Sequence, residues 1–297
     1  MRSADNHYLC YNISKKMQII YTLSQLKSSL GEVRNIGKTI GFIPTMGALH
    51  VGHLSLVSSS KIENDVTVVS IFVNPTQFND KDDLKNYPRN LESDLEKLKK
   101  TEVDFVFAPY DNEMYPQPDN RVFEFGNLDK VMEGKHRPGH FNGVAQIVSK
   151  LLMAVEPTRA YFGDKDFQQL TIIKQLVKNL NLEVEIIPCP IIRESDGLAM
   201  SSRNMRLTQT QRNSSVLISQ TLFESKKLKH TLNIDKLIGW VIETINKNSE
   251  LNVEYFEIVD DVHLMPIYSW DEQNNKVGCI AVKVGNIRLI DNIRYNS

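Results

Sequence analysis

Cysteine is scarce in this chain: three in 297 residues, Cys10, Cys189 and Cys279, far apart and without a Cys-x-x-Cys pair. That scarcity argues against a disulfide framework and a thiolate zinc site, and it points to a reducing, cytoplasmic setting. No apolar run approaches the ~20 residues a membrane helix needs, and the N-terminus lacks the apolar core of a secretory signal. Excess charge of either sign is missing too: 35 Lys and Arg stand against 36 Asp and Glu, a formal net charge of -1. A globally basic surface for nucleic acid or an anionic membrane is therefore not expected, although a local basic pocket is still allowed. No internal repeat or low-complexity segment stands out. What is present, 41% hydrophobic and 24% charged residues, suits a globular protein with a sizeable core.

The most informative stretch is Thr39-Ile-Gly-Phe-Ile-Pro-Thr-Met-Gly-Ala-Leu-His-Val-Gly-His-Leu-Ser-Leu-Val57. Its apolar run over 40–43 predicts a buried strand, Pro44 and Gly47 break that run, and Gly52 leads into a helical pattern. His50 and His53 thus sit where a strand hands over to a helix. In an open parallel α/β sheet, ligands bind at the carboxyl ends of the strands, where helix N-termini offer free N–H groups to phosphate. Histidines placed there can donate hydrogen bonds as charge develops in a transition state. A second apolar run, 66–73, completes a βαβ unit with a right-handed crossover. Asn74 and Gln77 follow it and are expected at the same crevice, where an amide such as Gln77 can orient a small hydroxylated acid.

The same pattern recurs downstream. A helix is expected over 22–33 with Thr22 as N-cap, another over 91–100 after Tyr87-Pro-Arg89, a strand over 102–109 and a short strand over 122–125. Gly134-Lys-His-Arg-Pro-Gly-His-Phe-Asn-Gly143 reads as a basic loop entering a helix over 144–155. Its Lys135, His136, Arg137 and His140 suit a polyphosphate or a leaving pyrophosphate. A strand over 159–162 and a helix over 167–180 frame Gly163-Asp-Lys-Asp-Phe-Gln-Gln169. There Lys165 can place a point charge on phosphate, Asp164 and Asp166 can hold that lysine or a magnesium-bound nucleotide, and Gln169 points back to the crevice. After a strand over 184–187, Met200-Ser-Ser-Arg-Asn204 forms a phosphate cradle ahead of a helix near Thr208, with Gly197 as a hinge. Helices over 208–229 and 235–247 and alternating segments over 254–259, 278–284 and 286–290 then indicate a small α+β unit. The expected fold is α/β: a Rossmann-like parallel sheet in an N-terminal domain, 17–192, and a smaller α+β lid domain, 193–297. Residues 1–16 are expected to be a disordered extension, with Met17 a candidate start.

Taken in order, these stretches resemble the motifs of the pantoate–β-alanine ligases, within the HIGH/KMSKS nucleotidyltransferase superfamily. His50-Val-Gly-His53 stands for the first superfamily signature and Met200-Ser-Ser-Arg203 for the second. Phe72-Val-Asn-Pro-Thr-Gln-Phe78, Tyr87-Pro-Arg89, His136-Arg-Pro-Gly-His-Phe-Asn-Gly-Val144 and Phe162-Gly-Asp-Lys-Asp-Phe-Gln-Gln169 carry the resemblance further. Val51, where an acidic residue is common, and Asp164, where glutamate is usual, are mild departures. The resemblance implies adenylation of pantoate by ATP with Mg2+, release of pyrophosphate, and displacement of AMP by β-alanine, in a homodimer. It also implies roles. His50, His53, Lys165 and Arg203 would be catalytic, with His53 as an acid toward the departing pyrophosphate. Met46, Gly47, Ala48, Leu49, Val51, Gly52, Gly163, Asp164, Asp166, Ile192, Met200, Ser201 and Ser202 would complete the ATP site. Gln77, Gln169, Asn74, Tyr87, Arg137 and His140 would surround pantoate and β-alanine. Metal ligands stay open, with Asp94 a candidate. The rival readings are another nucleotidyltransferase of this fold, acting on a phosphate substrate, and an inactive nucleotide-binding module.

Overall fold

The computed structural model describes residues 17–295, so the expected extension over 1–16 lies outside the described residues. The chain begins with β1 (Gln18–Ile20), α1 (Leu23–Asn35), β2 (Ile40–Thr45), α2 (Val51–Glu63) and β3 (Val66–Ile71). It continues with α3 (Lys81–Lys85), α4 (Leu91–Lys99), β4 (Phe105–Phe107), α5 (Asp111–Met114), α6 (Met132–His136) and α7 (His140–Val155). Then come β5 (Arg159–Gly163), α8 (Phe167–Asn179) and β6 (Glu185–Cys189). The last part holds α9 (Gln209–Leu228), α10 (Ile234–Asn246), β7 (Leu251–Asp260), β8 (Lys276–Val284) and β9 (Ile287–Arg294).

The first six strands form one parallel sheet in the order β1-β4-β3-β2-β5-β6. After β2 the chain builds outward through β3 and β4, and it later returns to the opposite side of β2 as β5. The point where the order reverses therefore lies between β2 and β5, which is where open α/β sheets bind ligands. Near-continuous apolar strands, as in Val66–Ile71, fit a sheet covered on both faces. One face packs Phe42, Val68 and Phe107 against α1, α7 and α8; the other packs Ile43, Val69 and Val106 against Leu56, Val57 and Leu98.

Strands β7, β8 and β9 form a separate antiparallel sheet. One of its faces carries α9 and α10 through Leu222, Leu237, Val241, Ile280 and Val282. The opposite face meets the first sheet's unit through Tyr255, Val259, Cys279 and Ala281, packed with Met132 and Phe167. The apolar alternation of β8 is thus used on both sides.

Several elements differ from the sequence expectation. The segment expected as a strand over 122–125 is not one: Asn142 of α7 accepts from Phe123 N–H and donates to the C=O of Arg121 just before the segment. Strand β1 was not foreseen. The basic loop is shorter than expected, because residues 132–136 are helical and α7 begins at His140, behind Gly139 at φ 81. Thr22 does cap α1, accepting from Gln25 N–H, and Thr208 and Gln211 form a reciprocal capping box on α9.

Candidate active site

Four chain segments that end strands or follow them converge on one cleft. It is lined by Met46, His50, Gly52 and His53 after β2, by Asn74 and Gln77 after β3, and by Gly163, Lys165, Asp166 and Gln169 after β5. Ile192, Met200, Ser201, Ser202 and Arg203 close it from the segment after β6, and Tyr87 closes it from the segment before α4. Val144, Ile147 and Leu151 of α7 supply an apolar floor. His53, Lys165 and Arg203, far apart in sequence, are thus brought together.

The two histidines are fixed by their own main chain. Gly52 N–H donates to His50 Nδ1 at 3.2 Å, and His50 N–H donates to His53 Nδ1 at 3.3 Å. Since both Nδ1 atoms accept, the neutral rings carry their proton on Nε2. The rings lie 4.1 Å apart. Burial, reinforced by the Lys165 charge, lowers His50 to about 4. Burial, then His50 and Lys165, lowers His53 to about 3. With both values below neutral pH, the two rings are uncharged there and each presents Nε2–H as a hydrogen-bond donor.

Gln77 is held in place by its neighbours. Asn74 Nδ2 donates to Gln77 Oε1 at 3.1 Å and to Gly143 C=O, while Asn74 Oδ1 accepts from the Tyr115 hydroxyl at 2.7 Å. Gly143 allows this approach, since a Cβ there would stand 2.3 Å from Thr76 C=O. Gln77 Nε2 faces Met46 Sδ at 3.0 Å. Asn74 therefore orients Gln77, with its own amide already engaged.

Arg137 and His140 do not line this cleft. They line a smaller cavity behind it, which shares Lys165, Asp166 and Gln169 with the main one. His140 Nδ1–H donates to the Gln77 main-chain carbonyl at 2.8 Å, leaving Nε2 to accept from Arg137 at 3.1 Å. Burial and then the Arg137 charge lower His140 to about 4. Arg137 also pairs with Glu133 at 3.5 Å.

Lys165 lies 3.1 Å from Asp166. Asp164 turns the other way: its carboxylate takes a two-point contact from Arg294 at 2.8 and 3.0 Å, and its carbonyl accepts from Asn292. It props the Lys165 turn and does not reach the cleft. Arg203 and Arg206 share Asp83 of α3, at 2.8 and 2.6 Å, and the Arg203 guanidinium lies 5.8 Å from the centre of the Tyr87 ring.

Other expectations are also redirected. Gly47, Ala48, Leu49 and Val51 do not line the cleft: Val51 faces solvent at 57% exposure, and Ala48 and Leu49 are buried. The N–H groups of Ala48 and Leu49 both donate to Asp94, at 2.8 Å each. Asp94 is 1% exposed and does not line the cleft. No group of three or more His, Cys, Asp or Glu residues suited to a metal occurs among the described residues. Asp83, Arg206 and Asn292 went unnoticed in the sequence because their partners lie far away along the chain.

A family model for pantoate-beta-alanine ligase matches residues 18–294. The chain belongs to that family. It is 54% identical over 280 residues to a pantothenate synthetase of Phocaeicola vulgatus, covering 94% of this chain and 99% of that one. It is 52% identical over 279 residues to a pantothenate synthetase of Porphyromonas gingivalis, with the same coverage. Among solved structures, pantothenate synthetase from Thermus thermophilus superposes with a TM-score of 0.88 at 37% identity, covering 94% of this chain and 99% of that one. A pantoate-beta-alanine ligase from Francisella tularensis, complexed with beta-gamma ATP and beta-alanine, superposes with a TM-score of 0.80 at 36% identity, covering 95% and 99%. The chain is accordingly of the pantoate-beta-alanine ligase family and of α/β fold, and the rival reading of another transferase falls away. No helix among the described residues is long and apolar enough to cross a membrane.

Proposed function

We propose that the cleft joins pantoate to β-alanine in two steps, using ATP. A pantoate carboxylate oxygen attacks the α-phosphorus, the bond to the pyrophosphate oxygen breaks, and pantoyl adenylate forms. The β-alanine amine then attacks the acyl carbon, the acyl–oxygen bond breaks, and AMP leaves with that oxygen while the nitrogen gives up a proton.

No covalent nucleophile is required, so the residues position reactants and supply positive charge. His50 and His53 donate from Nε2–H to the phosphates and the departing pyrophosphate. Lys165 sits on the α- and β-phosphates, and Ser201, Ser202 and Arg203 cover the triphosphate once Arg203 exchanges Asp83 for phosphate. Met46, Gly163, Ile192 and Met200 border the nucleotide. Gln77 and Gln169 hold the pantoate hydroxyl and carboxylate groups, and Tyr87 walls that side. Arg137 and His140 support Gln77 from behind. Bound Mg2+ would offset phosphate charge, with Asp166 as the acidic group lining the cleft beside Lys165. Residues 193–295 act as a lid over the 17–192 unit, with Gly197 as the hinge, in a cytoplasmic setting that rests on the scarcity of cysteine; the homodimer rests on the family resemblance.

The observation that carries the reading is that the histidine pair, Lys165, Arg203 and both glutamines line a single cleft. AMP formation with ATP, pantoate and β-alanine, each omitted in turn, tests it. Sustained AMP release should require all three, and release without pantoate would contradict the proposal.

A further inference from the structure

The turn that delivers the histidines is conformationally demanding. Gly47 and Ala48 take successive left-handed conformations, at φ 78 and 50, and alanine does so only when its surroundings impose it. Successive N–H groups in such a turn converge into a concavity that favours an anion. Had it faced the cleft, it would have been a phosphate site. It faces α4 instead, and a protein carboxylate fills it: Asp94 accepts from Ala48 N–H through Oδ2 and from Leu49 N–H through Oδ1. Asp94 is almost fully buried.

The remaining polar groups of the turn are engaged as well. Gly47 N–H donates to Thr45 Oγ1 at 3.1 Å. Lys97, one turn beyond Asp94 on α4, donates to Leu49 C=O at 2.8 Å and lies 3.6 Å from Asp94. Ser202 donates to Ala48 C=O at 3.0 Å, tying the second signature to the same residue. The next N–H along, that of His50, fixes His53 through Nδ1. A chain of direct contacts thus runs from Asp94 through two main-chain amides to the ring orientation of both histidines, and through Ala48 to Ser202.

We infer that Asp94 is a positioning residue of this ligase: it holds the Gly47–Ala48 turn so that His50 and His53 present Nε2–H to the cleft and Ser202 docks beside them. The inference rests on the adenylation reading for its kinetic consequence, and on geometry alone for its effect on the histidines. Asp94→Asn keeps size and polarity but brings an NH2 group against one of the two N–H donors. A displacement on the ångström scale at reacting groups costs ~10²-fold. Pantoate-dependent ATP–pyrophosphate exchange should therefore fall by ~10²-fold in kcat, with KM for pantoate changing far less.

The decisive readout is the tautomer state seen by nitrogen NMR on histidine-labelled enzyme. Wild type should show His50 and His53 as Nε2–H tautomers at neutral pH, and Asp94→Asn should show mixed or exchanging signals for them. Asp104→Asn is the structural control: Asp104 also accepts a strand N–H, from Thr67 at 2.8 Å, and its loss should lower stability without moving the histidine signals. Should Asp94→Asn fail to fold, Lys97→Met takes its place and should give a smaller change of the same sign in both readouts. Wild-type histidine signals together with wild-type kcat in the folded variant would overturn the inference. Absence of pantoate-dependent exchange in the wild-type enzyme would refute the reaction, and the tautomer comparison would still decide the role of Asp94.

Discussion

At the scale of single residues, hydrogen bonding fixes what each polar side chain can offer. The histidines accept main-chain N–H groups at Nδ1 and so have Nε2–H left for a ligand, uncharged at neutral pH. His53→Ala removes one preorganised donor and should lower adenylation by roughly two to three orders of magnitude. A fall of less than tenfold in pantoate-dependent exchange would remove His53 from the catalytic set. The same groups set a pH dependence of stability. His50, His53 and His140 titrate in the folded chain near 4, 3 and 4, below the 6.5 of a free histidine. Between those values the unfolded chain binds more protons, so stability is full above about pH 6.5 and falls as pH drops toward 4. Urea midpoints should thus decline between pH 7 and pH 5, before most carboxylates titrate, and a flat midpoint over that span would contradict the burial of these rings.

At the scale of elements, the second sheet serves the first. Asn292 holds the carbonyls of Asp164 and Lys165, Arg294 holds the Asp164 carboxylate, and Arg193 pairs with Asp291. The firmest join is Glu133 of α6, which accepts from Arg288 at 2.6 and 2.7 Å and from the Tyr255 hydroxyl. Burial by itself would raise this carboxyl, but the Arg288 contacts bring it down to about 2. Glu133→Ala leaves Arg288 paired only with Glu254 of β7 and takes the acceptor from the buried Tyr255 hydroxyl, and should destabilise the protein by about 1–3 kcal/mol, read as a lower urea midpoint; a midpoint within error of wild type would show the join to be idle. Turns such as 44–53 and 163–169 were legible because glycine, proline and polar residues interrupt apolar runs there. The misread segment over 122–125 has a strand-like pattern, yet a strand needs a ladder partner, and here Asn142 of α7 takes the Phe123 N–H instead. The turn-holding role of Asp94, expected only as a candidate metal ligand, and the Arg203 and Arg206 contacts of Asp83 carry no local signal: the first meets residues 45 and 46 positions away, the second residues 120 and 123 away.

At the scale of the molecule, strand order explains why the site exists. Leaving β2 on one side and returning on the other puts the turns after β2 and β5 next to each other, with the turn after β3 alongside. Parallel runs and a βαβ repeat were readable in the sequence, so the α/β class and the edge holding the site followed from it. The route by which 193–295 folds back over that edge was not readable, because it depends on pairs such as Arg288–Glu133 and Arg294–Asp164, which are matched only in three dimensions.

The central claim is that pantoate's own carboxylate oxygen attacks the nucleotide in this cleft. Pantoate labelled with 18O in its carboxylate, turned over with ATP and β-alanine, should pass one labelled oxygen into AMP, seen by mass spectrometry. Pantothenate formation accompanied by unlabelled AMP would contradict it.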